Sequence, residues 1–197
     1  MIDTLIFDFA GVVTKENFTP YFIRGCETKF GLDGALVKSA FTEIINPLMD
    51  GTKSAHDLWV AVCKNTNISY TDFIEVFGKA YDVNDETVEL IRKLKPKYRV
   101  SMLSDNFDVL SDNVKHDPKL SGLFEKIFLS NEIGMFKTMP GCFEYAIHEL
   151  GVDPTTCVFI DDKEQNLIPA RKLGITGIQF KNPTQCEKDL IAVGVEV

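Results

Sequence analysis

Cysteine is scarce in this chain: five in 197 residues, with no CxxC pair among them. An odd number without paired spacing fits neither a disulfide framework nor a zinc site. Cys63 and Cys157 stand in apolar runs, where cysteine serves packing more often than catalysis. Histidine is scarcer still, and neither His56 nor His148 has a second histidine at metal-ligand spacing. Cationic residues are outnumbered, 21 Lys and Arg against 29 Asp and Glu, giving a formal charge of -8. That field repels polyanions, so nucleic acid and anionic membrane are excluded as partners, and a phosphorylated substrate would need a locally positive pocket. No run approaches the ~20 apolar residues of a membrane span. Met1 to Phe9 lacks the basic flank and the roughly 7 to 15 apolar residues of a secretory leader, so a cytoplasmic location is expected. Low-complexity tracts and repeats are also missing, and a 45% hydrophobic, 25% charged composition is that of an ordered globular chain.

What is present alternates. Short apolar runs suited to buried parallel strands recur at residues 3–9, 98–103, 126–129, 157–160 and 177–180. Helical patterns at 87–94, 141–150 and 166–173 precede the second, fourth and fifth of these, with Gly151 and Gly174 as stops. The pattern predicts an α/β fold with a doubly wound, Rossmann-like parallel sheet. Between the first strand and the helix before the second lies far too much chain for one crossover. It carries helical patterns at 18–30, 35–45, 55–65 and 71–81, which predict an inserted all-helical unit. Trp59, Phe73 and Phe77 read as its core, and the acidic run 82–89 reads as a capped helix start.

Ligands of such sheets bind beyond the carboxyl ends of the strands. Asp8 follows the first strand and Ser104 the second, Lys137 lies in the loop after the third, and Asp161 with Asp162 follows the fourth. Singly, each is an ordinary turn, cap or surface residue. Together they are complementary: carboxylates from two strands can hold Mg²⁺, a hydroxyl and an ammonium can grip phosphate oxygens, and one carboxylate can attack phosphorus.

The stretches carrying these residues are Leu5-Ile6-Phe7-Asp8-Phe9-Ala10-Gly11-Val12-Val13, Leu103-Ser104-Asp105-Asn106, Gly134-Met135-Phe136-Lys137 and Phe159-Ile160-Asp161-Asp162-Lys163-Glu164-Gln165-Asn166. In order and content they resemble the four motifs of the haloacid-dehalogenase superfamily, and the likeness extends through Ala170 to Ile175. The resemblance implies a core of residues 1–14 and 84–197 and a type C1 helical cap over 15–83. Within that cap, Gly51 to Trp59 is similar to a segment of the branch of small phosphatases that includes α-D-glucose-1-phosphatase. It further implies that Asp8 is a nucleophile forming an aspartyl-phosphate on a small phosphorylated metabolite. Mg²⁺ would be held by Asp8, the Ala10 carbonyl and Asp162, with Asp161 behind through water. Asp162 is preferred as the direct ligand because Asn166 stands four residues later. Ser104, the backbone N–H groups of Asp105 and Asn106, and Lys137 would bind phosphate. Closure of the cap would exclude water.

Ala10 departs from the pattern, since most phosphatases of the superfamily carry an acid/base aspartate there; its loss typically costs about 10²- to 10⁴-fold. Three readings stay open: a phosphatase that compensates through its substrate or cap, a phosphonatase-like carbon–phosphorus hydrolase using Lys53 near Met49 and His56, and a non-catalytic Mg²⁺ or phospho-ligand binder. A metal-free dehalogenase would not require the paired Asp161 and Asp162. Thr138 replaces the proline usual after the lysine, with Pro140 two residues on. Oligomeric state is not specified by any motif.

Overall fold

The computed structural model describes residues 1–197. Strand β1 (Thr4–Phe7) is followed by a π-type turn over Phe9–Val13 and then by helices α1 (Phe18–Phe30), α2 (Gly34–Met49), α3 (Ala55–Cys63) and α4 (Tyr70–Gly78). Helix α5 (Asp85–Leu94) leads into β2 (Arg99–Ser104), α6 (Asp108–His116), β3 (Ile127–Leu129) and the short α7 (Ser130–Ile133). Helix α8 (Cys142–Leu150), β4 (Cys157–Asp161), α9 (Glu164–Lys172), β5 (Thr176–Gln179) and α10 (Pro183–Ala192) complete the chain. No helix is long and apolar enough to cross a membrane.

The α/β class expected from the pattern is what forms. Five parallel strands make one sheet in the order β3-β2-β1-β4-β5. Strand β1 is central because Leu5, Ile6 and Phe7 are apolar on both faces, and all three are fully buried. The chain steps outward from β1 to β2 and β3, then returns to the other flank of β1 as β4 and β5. Its winding therefore reverses between β1 and β4, and the crevice at their carboxyl ends is where such sheets take ligands.

The two faces of the sheet are filled differently. On one, Ile6, Leu103 and Phe159 pack against Phe143, Ala146, Leu167 and Ala170 of α8 and α9. On the other, Leu5, Phe7, Val100 and Ile160 join an apolar cluster that runs on through Phe9, Val12 and Val13 into α1, α2, α3 and α4. These four helices leave and rejoin the sheet through a narrow neck. Thr14 bridges Val83 in antiparallel fashion, the Lys15 N–H donates to Asp82 O at 2.9 Å, and the Asn84 N–H donates to Val13 O at 2.8 Å.

Helix α1 has the bounds its periodicity predicts. Helix α2 runs past the predicted end to Met49, through Pro47. A proline inside a helix forfeits a backbone bond, but Ile44 and Leu48 on either side of it are buried and hold the last turn in the core. All five cysteines are buried and free, including Cys63 and Cys157, whose apolar runs predict packing. Trp59 is only half-buried: its Nε1 donates to Ile68 O at 3.0 Å, and it meets Tyr70 edge-on and His56 at a tilt. Phe73 and Phe77 are fully buried, as expected.

Candidate active site

Asp8 is the first residue past β1, 2% exposed, and its carboxylate caps the turn that follows by accepting from the Phe9 N–H at 2.6 Å. That turn coils tightly only because Gly11 adopts φ 81°, a left-handed value that favours glycine. A Cβ at Gly11 would also stand 2.9 Å from Asp162 Oδ2, so the glycine admits the fourth strand's carboxylate to the first strand's turn.

Lys137, 1% exposed, reaches into the crevice and pairs with Asp8 Oδ1 at 2.7 Å and Asp161 Oδ2 at 2.6 Å. Its own N–H donates to Asp105 Oδ1 at 2.8 Å, which ties the loop after α7 to the end of β2. Burial alone would drive the proton from this ammonium, but Asp8, Asp161 and Asp105 outweigh it and hold Lys137 above the ordinary lysine range.

The carboxylates divide by environment. Asp161 Oδ1 accepts from the Lys163 N–H at 2.8 Å and Asn166 Nδ2 at 3.1 Å, while Oδ2 accepts from Lys137 and from Asn166 at 3.0 Å. Burial would raise Asp161, yet Lys137 and these donors leave it below the usual carboxylate range. Asp8 goes the other way: burial pushes its carboxyl well up, the Lys137 ammonium only partly opposing. Burial also raises Asp105, against the pull of Lys137. Asp162 accepts from Asn17 Nδ2 through Oδ2 at 2.9 Å, while its Oδ1 is buried without a partner. Asp8, Asp161 and Asp162 each present an oxygen within 4.8 Å of the others.

This donor set fits a hard divalent cation. It consists of carboxylate oxygens alone, one of them buried and unbonded, and the one ammonium paired with them does not offset the surrounding negative charge. Both bonds to the Asp8 carboxylate end on Oδ1, so Oδ2 is the oxygen left to react.

Ser104 is 1% exposed, and its hydroxyl has only a long 3.5 Å approach to Asp105 O. Asn106 corrects the sequence reading. Its N–H, expected to meet phosphate, is taken by Ser130 Oγ at 2.9 Å, and that hydroxyl bonds back to Asn106 O at 3.3 Å. What Asn106 leaves unpartnered is the side-chain Nδ2, its Oδ1 accepting from the Phe107 N–H at 2.9 Å. The physical reason is the α7 turn directly after β3, which sets Ser130 against the end of β2; a four-residue helix gives no periodic signal in a sequence.

A cleft of about 310 Å³ opens above these groups, lined by Ala10, Asp105, Phe136 and Lys163 from the strand ends and by Asn17, Phe18, Ile45, Asn46 and Met49 from α1, α2 and the approach to α1. Asn17 is the residue that the sequence reading missed. Nothing in a sequence signals a contact to Asp162, 145 residues away. Lys53 and His56, by contrast, are exposed in the turn after α2 and on α3, and neither lines the cleft.

A sequence profile of haloacid dehalogenase-like hydrolases matches residues 2–174. The chain belongs to that family. This haloacid dehalogenase-like hydrolase is 26% identical over 208 aligned positions to D-ribitol-5-phosphate phosphatase of Bacteroides thetaiotaomicron, covering 98% of each chain. It is 28% identical over 123 positions to the chloroplast flavin mononucleotide hydrolase 1 of Arabidopsis thaliana, covering 62% of this chain but only 50% of that protein. Among solved structures, a variant of a HAD-family enzyme from B. thetaiotaomicron in complex with magnesium and inorganic phosphate superposes with a TM-score of 0.72 at 25% identity, over 92% of this chain and 95% of the other.

Proposed function

We propose that this hydrolase is a Mg²⁺-dependent phosphomonoesterase of small phosphorylated metabolites, a sugar phosphate or similar, working through an aspartyl-phosphate on Asp8. The observation that carries this reading is the state of Asp8: a buried carboxylate pinned through Oδ1 by Lys137 and the Phe9 N–H, at the winding reversal of the sheet, beneath a cleft of metabolite size. The ribitol-phosphate phosphatase matched along its length, and the related structure holding magnesium and phosphate, support it.

The chemistry runs in two displacements. Asp8 Oδ2 attacks phosphorus and the ester P–O bond breaks, its electron pair leaving with the alcohol oxygen, which takes a proton from water. Water then adds to the aspartyl-phosphate, releasing inorganic phosphate and restoring the carboxylate. Lys137 keeps its proton throughout, fixes Asp8 Oδ1 and offsets charge on the transferring group. Ser104 Oγ, the Asp105 N–H and Asn106 Nδ2 are donors for the phosphate oxygens. Mg²⁺ held by Asp8, Asp162 and the Ala10 carbonyl would neutralise phosphate charge. Asp161, both of whose oxygens are already bonded, acts behind them by orienting Lys137. Residues 15–83 form the cap in this reading, with the cleft between cap and core selecting substrate. No carboxylic acid stands at Ala10, so substrates with good leaving groups, or with groups of their own to assist, should be favoured.

The test is phosphate release from an aryl phosphate and from a panel of sugar and polyol phosphates. Release should require Mg²⁺, and Asp8→Asn should lower it by at least about 10³-fold while the protein still unfolds cooperatively. Turnover that survives Asp8→Asn, or that proceeds fully in chelator, would overturn the mechanism.

A further inference from the structure

Asn17 stands immediately before α1 and is that helix's N-cap, yet its side chain makes no capping bond. One reason lies in the sequence. An N-cap oxygen accepts from the second or third N–H of the helix, and the third residue here is Pro20, which has none. The side chain turns instead to the core, where Nδ2 donates to Asp162 Oδ2 at 2.9 Å and lies 3.0 Å from where a Cβ on Gly11 would be.

That bond settles which way the amide faces. A carboxylate only accepts, so nitrogen must point at Asp162, and Oδ1 is the atom left over. It is buried and bonds nothing. Asn17 thus puts a lone acceptor into the wall of the cleft, beside the Ala10–Gly11 turn and one hydrogen bond from the carboxylate cluster that includes Asp8. An amide oxygen is too weak a base to carry a proton, so it cannot replace the missing acid. It can only accept a hydrogen bond, and the donor that a polyhydroxy phosphate ester brings nearest to a phosphorus seated on Asp8 is the hydroxyl next to the ester. Thr19, Asn46 and Gln165, uncharged and polar, continue the same wall outward.

We propose that Asn17 selects phosphate esters bearing a hydroxyl on the carbon adjacent to the ester carbon, the arrangement of polyol and open-chain sugar phosphates, by accepting a hydrogen bond from that hydroxyl on Oδ1. This rests on the phosphomonoesterase reading. Asn17 acts as a specificity residue and takes no part in bond making or breaking.

Non-hydrolysable phosphonates test it without turnover. 3-Hydroxybutylphosphonate and butylphosphonate mimic the matched esters and differ by one hydroxyl. With Mg²⁺ present, calorimetry on the unaltered protein should show the hydroxylated compound bound roughly tenfold more tightly, the effect of one hydrogen bond in a partly enclosed site. Asn17→Ala should bring the ratio close to one. Asn17→Ser, which keeps an N-capping hydroxyl, should do the same and covers the case in which the alanine variant folds poorly. Equal binding of both compounds to the unaltered protein, or a preference that survives both substitutions, overturns the inference while leaving the phosphate site intact. A weaker Mg²⁺ affinity with an unchanged ratio also overturns it, since Asn17 would then serve Asp162 alone. If neither the phosphonates nor inorganic phosphate binds in the presence of Mg²⁺, the phosphomonoesterase reading fails and takes this inference with it.

Discussion

The two walls of the cleft are buried by opposite means. Below it, Asp8 and Asp161 clasp the Lys137 ammonium and Asp105 accepts from the same residue's backbone N–H, each contact made by a particular oxygen. Above it, Phe18, Phe22, Phe41, Phe73 and Phe77 of α1, α2 and α4 form one cluster that Phe107, from the loop after β2, joins through Phe18, Phe41 and Phe77, with neighbouring ring centroids 5.0 to 6.1 Å apart. Rings in edge-on and tilted contact exchange partners at little cost, whereas a carboxylate that loses its donor is left charged and dry. The lower wall therefore fixes chemistry, and the upper wall fixes shape and stability. Phe107 stands one residue after Asn106, so the loop that carries Asp105 and Asn106 is also the one that plugs into the aromatic cluster.

The largest expected effect falls on the lower wall. Lys137→Met leaves Asp8 and Asp161 buried without their shared cation, which should cost about 3–5 kcal/mol of stability near neutral pH and abolish turnover. The sign of its pH dependence follows from Asp161. That carboxyl is held below its ordinary value in the folded protein, so it contributes stability above the unfolded pKa and loses it as pH falls. Without Lys137, burial raises both carboxyls in the folded variant, so protonation relieves its deficit as pH falls, and the gap between variant and parent should narrow as denaturation is repeated from about pH 7 down to about pH 4, a range above the one in which the parent loses its own Asp161 contribution. A gap that stayed constant would mean that the pair is not ionised.

Phe22→Ala should cost a comparable or somewhat smaller amount, about 3–4 kcal/mol, because a ring with no exposed surface is replaced by a void. Its cost should be flat across the same pH range, and Phe22→Leu should recover most of it, leaving a deficit of about 1.5 kcal/mol or less. The pair of pH series separates the walls by their physics. A sloping Phe22 series would show that the aromatic wall is coupled to the charged one through Phe107.

The walls also differed in how far the sequence disclosed them. Asp8, Ser104, Lys137, Asp161 and Asp162 could be read as a set because a parallel sheet delivers every strand end to one edge, so order along the chain becomes proximity in space. Helix α1 and the burial of Phe73 and Phe77 followed from periodicity. Hidden were contacts made across elements by short polar side chains: Asn17 to Asp162, Ser130 to Asn106, Asp108 to the Ala55 N–H at 3.1 Å. Each needs two elements to be placed before either residue acquires meaning. Trp59, expected in the core from its helical spacing, packs against it but stays partly exposed, its indole N–H donating to Ile68 O.

The smallest effect is the one that asks whether the upper wall can swing. Gly51, in the turn after α2, has φ 76°, and a Cβ there would lie 2.3 Å from the backbone oxygen of Asn131 in α7, the helix that leads to the Lys137 loop. Gly31, at the end of α1, has φ 65° with nothing within 4 Å of such a Cβ. Alanine at either site suffers the strain of a left-handed backbone, about 1–2 kcal/mol, but only at Gly51 must it also displace a main-chain carbonyl. Asn131 resists displacement, since its Oδ1 accepts from Ser111 Oγ at 2.6 Å. If the helical insertion is seated firmly on the core, Gly51→Ala should cost more than Gly31→Ala by about 1 kcal/mol or more, and it should also lower kcat/KM for a phosphate ester by moving the wall that carries Met49 and Asn46. If the insertion swings freely, the seam opens to admit the methyl group, and the two alanine variants unfold at the same denaturant concentration.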